Sequence, residues 1–339
     1  MDAVDRRTFL RQVGTGVLGA SVCGGMTGVE GLPRLSSAAA AVPARVGVFT
    51  DPGVRAAHGL DAERVRALLE KAIAAAFSTR DAVQGIRSAL RAGDVVGIKL
   101  NCLAGPPLSP SLELLDALTG LLGRAGVPTE RIVYFERAER DLMKGGLPVR
   151  HEGQGPLFLG HDSPGAGYEP EVEISGAVGS CLSRIVTRRI QVLISLGVLK
   201  DHNLAGVAGS MKNLFGVIHN PNKFHDNHCD PYVADVLAFP AVASRLRLAI
   251  LDGLSAQCEG GPGYVPAHAW PFNGILASRD CVALDRVAAD LLDRQRKVQG
   301  LPSLEKSGRP PRWLQTAAKR GLGIADLARI QVIRGGPGA

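Results

Sequence analysis

The chain has 339 residues, 45% hydrophobic and 21% charged, which provides for a large core and excludes disorder for most of its length. Aromatic residues reach only 4%, which weighs against nucleic-acid binding by base stacking, and no run approaches the roughly 20 apolar residues of a spanning helix. The net charge of +7 is concentrated: from Arg294 to Arg320 eight basic residues face the single acid Glu305, and the rest of the chain is balanced.

At the N-terminus, Asp5-Arg6-Arg7-Thr8-Phe9-Leu10-Arg11 resembles the twin-arginine export motif. A weakly apolar, glycine-rich run follows from Val13 to Val29, and small residues gather from Ser36 to Ala41. In that order they read as a cleavable export signal over residues 1–40, placing the mature protein in the periplasm or outside the cell. That pathway carries folded proteins, often with a cofactor already inserted, so a metal or redox cofactor is expected. Six cysteines (Cys23, Cys102, Cys181, Cys229, Cys258, Cys281) are scattered without a CxxC pair. Neither an iron–sulfur cluster motif nor a zinc ribbon is present; isolated thiols and a disulfide formed after export both remain open.

Short apolar runs then alternate with helical patterns. Val46–Thr50 reads as a strand, and Asp61 caps an amphipathic helix to Ala75. Val95–Leu100 is a second strand, Ser111–Leu122 a helix stopped by Gly126 and Pro128, and Ile132–Phe135 a third strand. Lys144–Pro170 is loop-like, rich in Gly and Pro. Gln191–Ser195, Leu248–Leu251 and Gly274–Ala277 are further strands, with helices over Ala234–Val242 and Val282–Leu292. The alternation predicts an α/β fold, a largely parallel or mixed sheet flanked by helices with one irregular insertion. Residues 41–335 form a single domain, and the basic stretch 294–335 is expected to pack as terminal helices around Trp313 and Leu314.

Ligands of parallel sheets sit beyond the carboxyl ends of the strands, so polar residues there are the candidates. These ends carry Lys99 and Asn101, Glu136, Lys200-Asp201-His202, Asp252, and Asp280. The richest segment runs from His219 to Asp230 and includes His225 and His228, with Cys229 beside the latter. Imidazole and carboxylate are ligands of first-row metals, and His225 and His228 share a face if that segment is helical. The expectation is that His225 and His228 bind a transition metal, iron or zinc, with His202, Asp252 and Asp280 as catalytic groups or further ligands. Gly206–Gly216 is a glycine-rich turn entering a helix through Lys212 and Asn213, suited to an anion although its spacing is neither a P-loop nor a dinucleotide fingerprint. Lys99, Asn101, Lys200, Lys212 and Asn213 are therefore assigned to substrate.

The order Lys99-Leu100-Asn101, Lys200-Asp201-His202, Met211–Gly216, Asp252-Gly253, Gly260-Gly261-Pro262 and Ala277–Asp285 resembles the DUF362 family, a domain of unknown function, over roughly residues 90–295. Lys-Thr-His is more usual in that family where Lys200-Asp201-His202 stands here. Some members look fused to ferredoxin-like cysteine motifs, which implies contact with redox chemistry; those cysteines are missing here.

The resulting expectation is an exported metal-dependent enzyme, an oxidoreductase or hydrolase, acting on a small anionic molecule. The alternatives are a periplasmic protein that binds a metal or metabolite without turnover, and an accessory factor for a redox enzyme. The basic C-terminal segment is the candidate contact for a membrane surface or redox partner.

Overall fold

The computed structural model describes residues 43–336; the export-signal reading falls outside them. Eight strands form the path of one mixed sheet: β1 (Ala44–Thr50), β2 (Val96–Lys99), β3 (Ile132–Phe135), β4 (Leu157–Leu159), β5 (Val192–His202), β6 (Leu246–Gln257), β7 (Gly274–Ser278) and β8 (Ile330–Gly335). Their spatial order is β8-β1-β7-β6-β5-β2-β3-β4. Only β7 runs against its neighbours β1 and β6; every other pair on the path is parallel.

Two helical layers cover the sheet because alternate strand residues face opposite sides. Ile132 and Tyr134 of β3 join a core with Leu68 and Leu69 of α1 (Ala62–Phe77) and Leu114 and Leu118 of α2 (Leu112–Arg124). Val133 and Phe135 face the other core, built from α3 (Ser210–Asn213), α4 (Tyr232–Ala238), α5 (Cys281–Val298) and α6 (Trp313–Lys319). Helix starts are capped as their sequence suggests: Asp61 accepts from Glu63 N and Arg64 N, and Ser111 from Leu114 N.

Several elements differ from the sequence reading. β5 and β6 are longer than their apolar runs because buried partners satisfy their polar ends: Asp201 accepts from Gly261 N and Arg309, and Gln257 from Val265 N. β4 lies inside the segment read as loop, at the sheet edge. The C-terminus returns as β8, parallel to β1, where helix was expected; Ile330, Val332 and Ile333 supply the β-branched pattern.

The basic C-terminal segment is partly drawn inward, with Arg296 and Arg309 buried and the other six cations exposed. Arg309 Nη1 lies 2.7 Å from the buried Asp201 Oδ2, Arg296 and Arg309 both pair with Glu259, and Arg320 pairs with the buried Asp235. Arg294 takes Asp290, one turn back on α5. Half of the eight cations are thus matched to carboxylates, and the segment ties the end of β5 at Asp201 to the loop carrying Glu259.

Candidate functional site

β2, β3, β5 and β6 are parallel and end on one edge of the sheet, where the residues that follow them enclose a cleft of about 350 Å³. Lys99, Asn101, His202, Lys212, Asn213 and His225 line it together. Lys200 lies behind them, fully buried, its Nζ 3.0 Å from Asn101 Oδ1 and 3.3 Å from the Pro262 carbonyl.

The floor is an ion pair. Lys99 Nζ donates to Glu136 Oε2 at 3.0 Å and to Asn213 Oδ1 at 3.3 Å, while Glu136 also accepts from Cys102 N at 2.9 Å. A side chain at Gly216 would put its Cβ 2.3 Å from Lys99 Cε, so glycine there makes room for the lysine. Asn213 is fixed in turn by donating to Lys99 O and Ser195 Oγ.

α3 brings in Lys212 and Asn213, and a buried carboxylate from α5 sets its start. Asp285 accepts from Ser210 N at 2.6 Å, Ser210 Oγ at 2.8 Å and Met211 N at 2.8 Å. Gly209 precedes the helix at φ 40°, and a Cβ there would sit 2.5 Å from that carboxylate, so only glycine fits both the angle and the space. Burial pushes the Asp285 carboxyl up to about 6.

Lys212 Nζ sits 3.9 Å from the centre of the Phe215 ring and 3.0 Å from His225 Nε2. Burial pulls its ammonium down to about 8, and does the same to Lys200. Among the described residues neither lysine has a carboxylate partner, whereas Lys99 has Glu136 and Arg137 has Asp141.

The two cleft histidines lie with ring centres 5.8 Å apart. His202 Nδ1 accepts from Leu204 N at 3.1 Å and Ala205 N at 3.2 Å. That acceptor role puts the ring proton of neutral His202 on Nε2, toward the cleft. Burial first, then the Lys212 charge, lowers His202 to about 3, so it stays neutral across physiological pH. His225 is lowered by the same two causes, and its Nε2 accepts from Lys212.

These histidines do not fit a metal as they stand. A metal on His202 Nε2 would require the proton on Nδ1, where two backbone N–H groups already point. A metal on His225 Nε2 would compete with the Lys212 ammonium. Among the described residues no group of three or more His, Cys, Asp or Glu is gathered as a ligand set.

Three of the sequence candidates lie elsewhere. Asn227, His228 and Cys229 all have positive φ, so the segment is not the helix that would align His225 with His228. His228, at φ 56°, turns its Nδ1 to the Leu204 carbonyl at 3.3 Å, outside the cleft. Asp252 stands within β6, which continues to Gln257, and accepts from Leu254 N and from Ser111 N at the start of α2. Asp280 follows β7, the one reversed strand, so it emerges at the opposite edge and caps α5 through Ala283 N, with Ile324 N on its other oxygen. Asp280→Asn is expected to cost about 1–3 kcal/mol by turning an amide NH₂ toward Ile324 N, with ligand affinity of the cleft unchanged; chemical denaturation beside a binding titration checks both.

Glu136 and Asp285 were visible in the sequence, the first as a strand end and the second as the last residue of the Ala277–Asp285 motif, yet nothing there assigned either a role. Phe215 and Arg137 carried no signal beyond their neighbours.

The family model described as a domain of unknown function, DUF362, matches residues 96–290, from the start of β2 into α5 and over half the chain. The chain belongs to the DUF362 family. Every cleft residue named above falls inside the DUF362 span, whereas Arg309, which braces Asp201, lies beyond it. No curated protein matches the chain. A crystal structure of a Thermotoga maritima protein is similar at 10% identity and a TM-score of 0.33. The likeness covers 57% of this chain and 50% of that one, so the chain spans half the length of that protein, too distantly to bear on the DUF362 cleft.

Proposed function

We propose that the cleft takes up a small anionic molecule and exchanges a proton with it through Lys212 and His225. The observation that carries this reading is the pair of buried ammonium groups, Lys200 and Lys212, with no carboxylate partner among the described residues. An unpaired buried charge costs several kcal/mol, and a bound carboxylate or phosphate would supply the missing opposite charge. Asn101 gives its Oδ1 to Lys200, which leaves its amide NH₂ to donate, and neutral His202 offers Nε2–H. Leu103 and Leu204, exposed by 42% and 43%, line the same cleft and suit an apolar part of the ligand.

An amine that titrates near pH 8 acts as base or acid at neutral pH. Lys212 in its neutral form would accept a proton from the ligand, and His225 Nε2, its present partner, would orient the amine. The twin-arginine-like motif supports export of this enzyme.

A bound anion favours the charged lysines and raises their pKa. Binding is therefore expected to take up protons between about pH 8 and the ordinary lysine value of 10.5. Calorimetric titration at pH 8.5 with small carboxylates and with inorganic phosphate, in buffers of different ionisation enthalpy, measures the uptake. Failure of every such anion to bind, or binding without proton uptake, would overturn the anion site. Deuterium entering the bound carboxylate from D₂O would show the transfer step, and binding without exchange would leave capture alone.

A further inference from the structure

The opposite edge of the sheet carries a second cationic feature, built where β2, β3, β5 and β6 begin. Two adjoining cavities of about 500 and 420 Å³ share Leu90, Arg91 and Asp94. Arg87, Arg91, Arg131, Arg245, Arg247 and Arg279 line this groove, and Asp94 is the one acid in it. Among the described residues none of the six arginines is paired with a carboxylate.

Several of these guanidinium groups are held in place by uncharged partners. Arg245 donates to the carbonyls of Thr187, Ile190 and Ala241, which anchors its charge at the rim. Arg279 lies 5.2 Å from the centre of the Phe77 ring. The Arg131 guanidinium passes over Gly93, where a Cβ would lie 3.3 Å from its Nη1. The result is a patch of positive charge, anchored at Arg245 and otherwise exposed at Arg87, Arg91, Arg131 and Arg279, whose guanidinium donors suit phosphate oxygens.

The chain also begins its fold at this edge. Val46 of β1 pairs with Ser278, whose Oγ donates to Arg45 O, and Arg279 follows directly.

We infer that this arginine groove docks the domain on a membrane surface by binding anionic phospholipid headgroups. It replaces the C-terminal basic segment as the membrane contact, because four of that segment's eight cations already face carboxylates. It also leaves the anion cleft, at the other end of the strands, facing away from the lipid.

Flotation of the full chain with phosphatidylcholine vesicles, with and without phosphatidylglycerol, tests the inference. Binding should require phosphatidylglycerol and weaken as salt is raised. Each arginine near an anionic surface contributes about a fivefold change in affinity, so Arg91→Ala, Arg247→Ala and Arg279→Ala together should lower it on the order of 100-fold. Lys297→Ala, Lys306→Ala and Lys319→Ala, on the exposed part of the C-terminal segment, should leave it within about twofold. Proton-coupled anion binding in the cleft reports that the groove variant is folded. If cleft binding is absent in both proteins, matching circular-dichroism melts serve instead, and the two proposals are judged separately. Three results would each overturn the inference: no preference for phosphatidylglycerol, vesicle binding unchanged in the groove variant, or equal binding of soluble glycerol phosphate or polyglutamate at the groove without vesicle binding.

Discussion

Lys212→Met is expected to abolish anion uptake by the cleft while making the unliganded protein more stable. The ammonium lies buried, with a ring face and a neutral imidazole as its partners and no carboxylate. Replacing a buried charge by an apolar group of similar length removes that desolvation cost, a gain of about 1–4 kcal/mol. A residue whose removal stabilises the fold and removes a ligand is one that the site keeps for its chemistry. The pH dependence carries the same signature. Lys212 titrates at about 8 in the folded chain against the ordinary lysine value of 10.5, so the unfolded chain holds more protons between those values. Stability of the wild type should therefore rise as pH goes from 8 to 10.5, by on the order of 3 kcal/mol at most from this group. Lys200, shifted the same way, adds its own share, so Lys212→Met should flatten the slope without removing it. Urea unfolding at pH 7 and pH 10, with a calorimetric titration of the anion, measures all three effects. A less stable variant that still binds the anion normally would show Lys212 to be a structural lysine.

Glu136→Gln should have the largest effect on folding. Glu136 neutralises Lys99 at 3.0 Å, and both side chains are almost wholly buried. The amide keeps the shape but leaves the lysine without an opposite charge, which costs about 3–5 kcal/mol. For a domain of this size the melting temperature should fall on the order of 10 °C. The double variant Glu136→Gln with Lys99→Met removes the stranded charge and should recover most of the loss. If the single variant melts with the wild type, the pair contributes nothing to the fold.

Much of the architecture was legible from local pattern. The apolar runs of β1, β2, β3 and β7 mark strands within a residue or two, and Asp61 and Ser111 mark helix starts, because strand pleat and capping depend on residues close in sequence. The parallel strand ends likewise drew attention to Lys99, Asn101 and His202, and the glycine-rich turn to Lys212; the fold brings all four into one cleft.

Direction and pairing were decided elsewhere. Nothing local to Gly274–Ser278 says that β7 runs backward; its antiparallel pairing with β1 and β6 carries Asp280 to the far edge. The stretch from His219 to Asp230 reads as a metal-ligand cluster because its residue types are right. Positive φ at three consecutive residues, however, turns His228 away from His225. The +7 of the C-terminal segment reads as a free patch until Asp201, Asp235 and Glu259, distant in sequence, meet it. The sequence by itself determined most of the strands, helix starts and polar ends, since those follow from periodicity and caps, while β4 and β8 escaped that reading. Which charges are matched, which nitrogen of a histidine is free, and which lysines are left without a partner depend on groups far apart along the chain. Only the tertiary structure decided them.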